Sequence, residues 1–259
     1  MPKIVVDHLA KEFTTGRERV VAIADLTFTV EEGELVAIVG RTGCGKSTFL
    51  SLLLGVEVPT RGDIRIDGKH PYYDFACFRG RLGVVFQSHR LMPWRTALDN
   101  ARLGLEILGY PEEEQRRRAT AWLHRLGLKG FEWAYPHQLS GGMQQRVSIA
   151  RAFAVEPEIL LCDEAFGHLD ELTALELRSI FLDLVRAEHK TGLFVTHDID
   201  EAIEMGERIL VFGRPGRVLE DLAVPARARE DDAERLRLRR HILETMRAEG
   251  SSIDARALV

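Results

Sequence analysis

The sequence has little cysteine. Cys44, Cys77 and Cys162 stand far apart with no C-x-x-C spacing, which argues against a disulfide framework or a thiolate zinc site. They read as reduced thiols of a cytosolic protein. Long apolar runs are missing too. The longest, such as Leu35 to Val39 and Ile159 to Cys162, are strand-sized, far short of the ~20 residues that span a bilayer. The first residues, MPKIVVDHLAKEF, have neither the basic start nor the apolar stretch of a secretory leader. Basic charge is not in excess: 35 Lys and Arg face 40 Asp and Glu, for a net charge of −5. That excludes a whole-surface footprint for nucleic acid and leaves only local patches. No internal repeat or low-complexity linker occurs. Such a chain cannot by itself form a path through a membrane.

The chain of 259 residues, 45% hydrophobic and 29% charged, is long enough for a sizeable core and ordinary for a soluble globular protein. Residues 4 to 39 read as strands. Leu26, Phe28 and Val30 alternate with Thr27 and Thr29, the period of a half-buried strand, and Glu34 to Val39 reads as a buried one. A glycine-rich loop follows, then an apolar helix from about Ser47 to Leu54, and short strands at Ile64 to Asp67 and Leu82 to Phe86. From Thr96 to Glu156 the pattern is mostly helical. Pro111 with three glutamates after it makes a helix start, because proline fits the first turn and acids suit its positive end. Strands return at Ile159 to Cys162, Leu193 to Thr196 and Ile209 to Phe212. The predicted architecture is an α/β core interrupted by a helical insertion. From about Ala226 the chain turns rich in arginine and acids with sparse leucines, a pattern read as a modest, largely solvated amphipathic helix, with a dimer contact or a regulatory element as the alternatives.

The loop GRTGCGKST fits G-x-x-x-x-G-K-[ST] with Gly40, Arg41, Thr42, Gly43, Cys44, Gly45, Lys46, Ser47 and Thr48. Glycines let backbone N–H groups turn inward around phosphate oxygens. The helix that follows points its positive end at them. Lys46 is placed to reach the β- and γ-phosphates, and the Ser47 hydroxyl to ligate Mg²⁺, which keeps several waters. A glycine-rich turn that binds nothing is the alternative; the strand before and the helix after favour the phosphate reading.

Ile159 to Glu164 is an apolar strand ending in two carboxylates. Ligands of a parallel sheet bind at the carboxyl ends of its strands. Asp163 is therefore a candidate Mg²⁺ holder and Glu164 a candidate general base for an attacking water. On their own they would read as two solvated acids. Leu139-Ser140-Gly141-Gly142-Met143-Gln144-Gln145-Arg146 looks like a second anion site: a hydroxyl at an N-cap, two bare glycines, then a helix. By itself that is also an ordinary helix start.

With LSGGMQQR, GRTGCGKST and LLCDE together, the sequence resembles the ABC ATPase family over about residues 3 to 225. The resemblance implies a P-loop NTPase core with an N-terminal antiparallel β subdomain and an inserted helical subdomain at about 95–156. The tail, 226–259, is left without a role. It implies ATP and Mg²⁺ as ligands and two subunits paired head to tail. Ser140, Gly141, Gly142, Met143 and Gln144 of one then face the nucleotide of the other. Gln87 resembles the glutamine that touches Mg²⁺ and the attacking water, or else it is a core glutamine. His197 resembles the switch histidine that meets the γ-phosphate. Leu169-Asp170 resembles the loop that crosses the dimer interface, with His168 before it either tuning that interface or simply solvated. Phe13 is the candidate for the aromatic that stacks on adenine, with a core position as the alternative.

Gln87 to Trp94 resembles the stretch that receives a coupling helix from a membrane subunit. FGHLDELT, VTHDIDEA and GRPGRV resemble the nitrate/sulfonate/taurine importer branch. That implies a transmembrane permease, a periplasmic or surface solute-binding protein acting indirectly, no nucleic acid, and a place on the cytoplasmic face of the membrane. Export or lipid trafficking is the alternative. A soluble ABC protein of DNA repair or translation is the remote one, since those usually carry two motor domains or a long coiled coil.

Overall fold

The structure is a computed structural model and describes residues 2–16, 18–167 and 169–256. The chain forms two compact units, residues 1–75 with 193–259, and residues 76–192. It opens with β1 (Ile4–Thr15), β2 (Glu18–Val30), β3 (Leu35–Gly40), α1 (Lys46–Leu53) and β4 (Arg61–Ile66). The second unit holds β5 (Leu82–Phe86), α2 (Ala97–Ala101), α3 (Leu103–Ile107), α4 (Glu112–Arg125), α5 (Gly141–Ala154), β6 (Ile159–Asp163) and α6 (Glu171–Ala187). The chain re-enters the first unit within β7 (Thr191–Thr196) and continues through α7 (Ile199–Met205), β8 (Arg208–Gly213), β9 (Gly216–Ala223) and α8 (Asp232–Arg256).

In the first unit β1 runs antiparallel to both β2 and β4, with Ile4 opposite Val30 and Ile66. Ile23, Leu26, Phe28 and Val30 are buried while Thr27 and Thr29 face water, as the alternation predicts. The strand order is β4-β1-β2-β9-β8-β3-β7. All six residues of β3 are buried, and it runs parallel to β8. A strand covered on both faces reads as a continuous apolar run. Phe49 of α1 sits 5.5 Å from Phe28 and 6.0 Å from Phe212, ring to ring. This aromatic knot seats α1 on the sheet. Arg208 of β8 ties β9 to the residue before β3: its guanidinium donates to Asp221 at 2.6 Å and to Glu34 at 3.1 Å. Those carboxylates push its pKa up.

Some element ends shift from the expected ones, and so does the character of the tail. The strand expected at Ile64 to Asp67 runs Arg61–Ile66, because Asp67 turns into the left-handed region at φ 49°. The tail is less solvated than expected. Ile242 is fully buried, Arg239 donates to Asp200 at 2.9 Å, and Thr245 donates to Glu220 at 2.7 Å. The interspersed tail arginines pair partly with carboxylates of the folded unit, so charge here supports docking rather than solvation.

In the second unit β5 and β6 run parallel, from Leu82 opposite Ile159 to Phe86 opposite Asp163. That register brings the ends of both strands side by side. The helices α2 to α5 occupy 97–154. Pro111 is the N-cap of α4, with Glu112, Glu113 and Glu114 in its first turn and His124 and Arg125 in its last. Trp122 meets Phe153 at 4.8 Å in a tilted pair, Phe153 meets Phe181 at 5.6 Å, and Phe181 meets Phe166 at 5.9 Å. This chain of rings ties α4, α5 and α6 to the segment just after the acid pair.

Candidate nucleotide site

In the first unit the phosphate loop leaves β3 and enters α1. Gly45 is the N-cap of α1 at φ 95°. A Cβ there would stand 2.6 Å from the Ala22 carbonyl oxygen, so both backbone shape and close approach require glycine. Lys46 is buried, and its ammonium donates to the carbonyls of Gly40 at 2.6 Å and Arg41 at 3.3 Å. The cation is thus folded over the loop that carries it. Ser47 is exposed, whereas Cys44 is buried, and burial pushes its thiol pKa up. Arg41, Thr42 and Gly43 line the open side, and Thr48 is half-buried. Phe13 is half-buried in β1 with the Lys11 ammonium 4.9 Å from its ring centre.

His197 follows β7 and is exposed. Its place is fixed by its neighbours. The Asp198 N–H donates to the Thr196 hydroxyl at 3.0 Å, and Asp198 caps α7 by accepting from Asp200 and Glu201. The Thr196 hydroxyl in turn donates to Glu201.

In the second unit the parallel register places Gln87 beside the acid pair. The Gln87 amide donates to the Glu164 carboxylate at 3.2 Å. Glu164 itself sits at φ 49°, an uncommon shape for a side-chain-bearing residue and the kind of strain that collects at working sites. Asp163 and residues Phe86 to Arg90 line a cleft of about 330 Å³. The stretch after Gln87 ends at Trp94, which is 72% exposed.

The helix start at Ser140 is built as its sequence predicts. Ser140 is the N-cap of α5 and accepts from the Met143 N–H at 3.3 Å. Ser140 and Gly141 are exposed, while Gly142 lies against Thr173: a Cβ on Gly142 would meet the Thr173 methyl at 2.7 Å. Gln144 turns back into its own unit and donates to Pro136 at 2.9 Å and Leu139 at 3.2 Å. It thereby braces the turn that leads into α5. Asp170 caps α6 and accepts from the Thr173 N–H at 3.0 Å. Hydrogen bonds from the Thr173 hydroxyl and N–H hold its carboxyl below the usual range. His168 lies outside the described residues.

Two contacts were not legible beforehand. The buried Gln145 donates to the Ala165 carbonyl at 2.6 Å, linking α5 to the residue after Glu164. Arg151, further along α5, donates to the carbonyls of Arg90 at 2.7 Å and His89 at 2.8 Å. The available signal was the polar Gln145 and Arg151 set among the apolar residues Val147, Ile149, Ala150 and Phe153 of α5.

Residues 9–167 match the profile described as ABC transporter. An uncharacterised ABC transporter ATP-binding protein of Methanocaldococcus jannaschii is 42% identical over 95% of this chain and 92% of its own length. A taurine import ATP-binding protein of Yersinia pseudotuberculosis is 39% identical over 86% of this chain and 90% of its own. Among solved structures, a dimeric post-hydrolysis state of an ATP-binding cassette bound to ADP and Pi is similar at a TM-score of 0.77. It is 35% identical, over 86% of this chain and 99% of that one. A P-loop ATPase is therefore the class that fold and loops define. The chain belongs to the ABC transporter family and is an ATP-binding, ATP-hydrolysing subunit of it.

Proposed function

We propose that this chain is the motor subunit of an importer for a small solute of the sulfonate, nitrate or taurine kind, working as a homodimer on a transmembrane permease. Among the described residues no helix is long and apolar enough to cross a membrane. On this reading the subunit sits on the cytoplasmic face through the permease, which a solute-binding protein supplies from the other side. The relative named for taurine import supports the branch, as does a relative from Bacillus cereus named for aliphatic sulfonate import, 36% identical over 83% of this chain.

One observation carries the reading: the N-terminus of α5, a 14-residue helix, presents Ser140 and Gly141 at the surface while its body is buried. Backbone N–H groups there suit an anion brought by a second copy. The related cassette that binds ADP and Pi is described as dimeric.

On this reading Lys46 binds the β- and γ-phosphates, Phe13 stacks on adenine, and His197 meets the γ-phosphate. Ser140, Gly141, Gly142, Met143 and Gln144 complete the partner's nucleotide site, with Asp170 at the seam. Glu164, oriented by Gln87, takes the proton of the attacking water. Ser47, Gln87 and Asp163 offer only oxygen donors, the set that Mg²⁺ accepts. When bound, Mg²⁺ neutralises phosphate charge during transfer. Closure is driven by binding the nucleotide between two copies, and hydrolysis reopens the pair.

The test is Ser140→Arg, measured for ATP binding and for turnover in the reconstituted transporter. Binding is expected to persist while hydrolysis is lost. Turnover like the wild type would sink the shared site.

A further inference from the structure

A second cation lies beside the phosphate loop. The turn between β8 and β9 carries Arg214, which is exposed. A Cβ built on Gly43 would stand 3.8, 3.9 and 4.0 Å from the Arg214 Cζ, Nη1 and Nε. Three nearly equal distances mean that the guanidinium plane faces the loop. Among the described residues this guanidinium has no hydrogen-bond or ion-pair partner. A planar charge held that close, with its donors unspent, is suited to phosphate oxygens.

The turn is held from its other side by the tail. The Arg214 N–H donates to Glu249 Oε1 of α8 at 2.5 Å. Arg217 pairs with the same oxygen at 3.0 Å and donates to the Arg214 carbonyl at 3.1 Å. Glu249 is 9% exposed. It fits because Gly213 has no side chain: a Cβ there would stand 2.2 Å from Glu249 Oε1. Gly216, at the far end of the turn, lies against the loop, where an added Cβ would meet the Cys44 carbonyl at 3.1 Å. The turn is therefore wedged between the phosphate loop and α8. The Cys44 thiol, raised chiefly by burial, also feels the Glu249 charge, as that wedge implies.

We infer that Arg214 is a second cation for the nucleotide's phosphates beside Lys46, and that α8 holds it there through Glu249. The inference rests on the proposed nucleotide site and gives the tail a part in setting nucleotide affinity. Glu249 is a positioning residue, since its carboxylate reaches the turn's backbone rather than the ligand. Its negative charge alone would repel phosphates, so a direct effect and a positioning effect have opposite signs.

The experiment uses the full chain and a fluorescent ADP analogue, titrated against wild type, Arg214→Ala, Arg214→Lys, Glu249→Ala, Glu249→Gln and Lys46→Ala. Arg214→Ala is expected to weaken binding about tenfold, the scale of one charge-assisted hydrogen bond. Arg214→Lys should recover part of that loss, and Glu249→Gln, which keeps an acceptor for the Arg214 N–H, should lose less than Glu249→Ala. Glu249→Ala should weaken binding when Arg214 is present and add nothing in the Arg214→Ala background. Unchanged affinity in Arg214→Ala, with binding lost in Lys46→Ala, would overturn the inference and leave the proposed function standing. Tighter binding in Glu249→Ala would overturn the tail's part. Full binding in Lys46→Ala would bring down both.

Discussion

Gln87 donates its amide to the Glu164 carboxylate at 3.2 Å, so the two strand ends present one oriented acid rather than two loose side chains. The β5–β6 register sets this, because Phe86 pairs with Asp163 and the next residue on each strand follows. A carboxylate oriented in this way suits the role of base proposed for Glu164. Glu164→Gln is expected to bind MgATP and to lose turnover by about 10²- to 10⁴-fold, the usual share of a general base. Size exclusion with MgATP should then show an accumulated dimer. A variant that hydrolyses normally and stays monomeric would remove Glu164 from that role.

The strands and their ends were legible because period and glycine loops are local signals. β5 falls on Leu82–Phe86 as expected, and α1 begins at Lys46, one residue from the expected start. What escaped depends on partners distant in sequence. Nothing local to the tail says that Arg239 meets Asp200 or that Ile242 is fully buried. Gln144 illustrates the same limit. Its amide donates to Pro136 and Leu139, contacts set by a turn whose shape lies outside the motif.

Gly142 has a steric duty besides any contact with phosphate. An alanine methyl there would come within 2.7 Å of the Thr173 methyl. Gly142→Ala is expected to cost about 1–3 kcal/mol of stability, typical of overpacking, read by urea unfolding. Adding Thr173→Ser removes the opposing methyl and should restore most of that loss, while the Thr173 backbone cap on Asp170 survives. If the double variant is stable yet inactive, the glycine's bare backbone is needed for the reaction itself. If stability is not recovered, the clash with Thr173 is not the cause.

Glu114 on α4 gives a pH signature. Hydrogen bonds from Arg117 and Arg118 lower its pKa from 4.5 to about 2. A depressed carboxylate favours the folded state above its unfolded pKa, and that contribution fades as pH falls from about 4.5 to about 2. Glu114 is half-buried and Arg117 is exposed on the helix surface, so the effect on global stability should be small. A carboxyl-carbon NMR titration should find Glu114 ionised well below its unfolded pKa. Arg117→Ala with Arg118→Ala should return it to the ordinary range; a Glu114 that titrates normally in the wild type would refute the pairing.

Arg151 ties the helix that begins at Ser140 to the stretch that follows Gln87. Its fork reaches two successive carbonyls, His89 at 2.8 Å and Arg90 at 2.7 Å. Burial lowers its pKa, and the nearby Arg90 charge adds to that cost. Arg90 is held apart by its own ring partner, with its guanidinium 3.8 Å from the Phe86 ring centre. A half-buried cation is tolerated here because both carbonyls accept from it. Arg151→Lys offers a single ammonium in place of a planar fork and cannot reproduce the paired geometry. Arg151→Ala is expected to cost about 2 kcal/mol, the scale of hydrogen bonds to a charged group. Amide exchange across residues 88–94 should speed up in both variants and more in Arg151→Ala, while exchange in β6 stays slow. If the stretch exchanges as in the wild type, the two carbonyl contacts do not hold it. If it loosens and permease-stimulated hydrolysis falls with it, a coupling route runs from the start of α5 through Arg151 to the exposed Trp94.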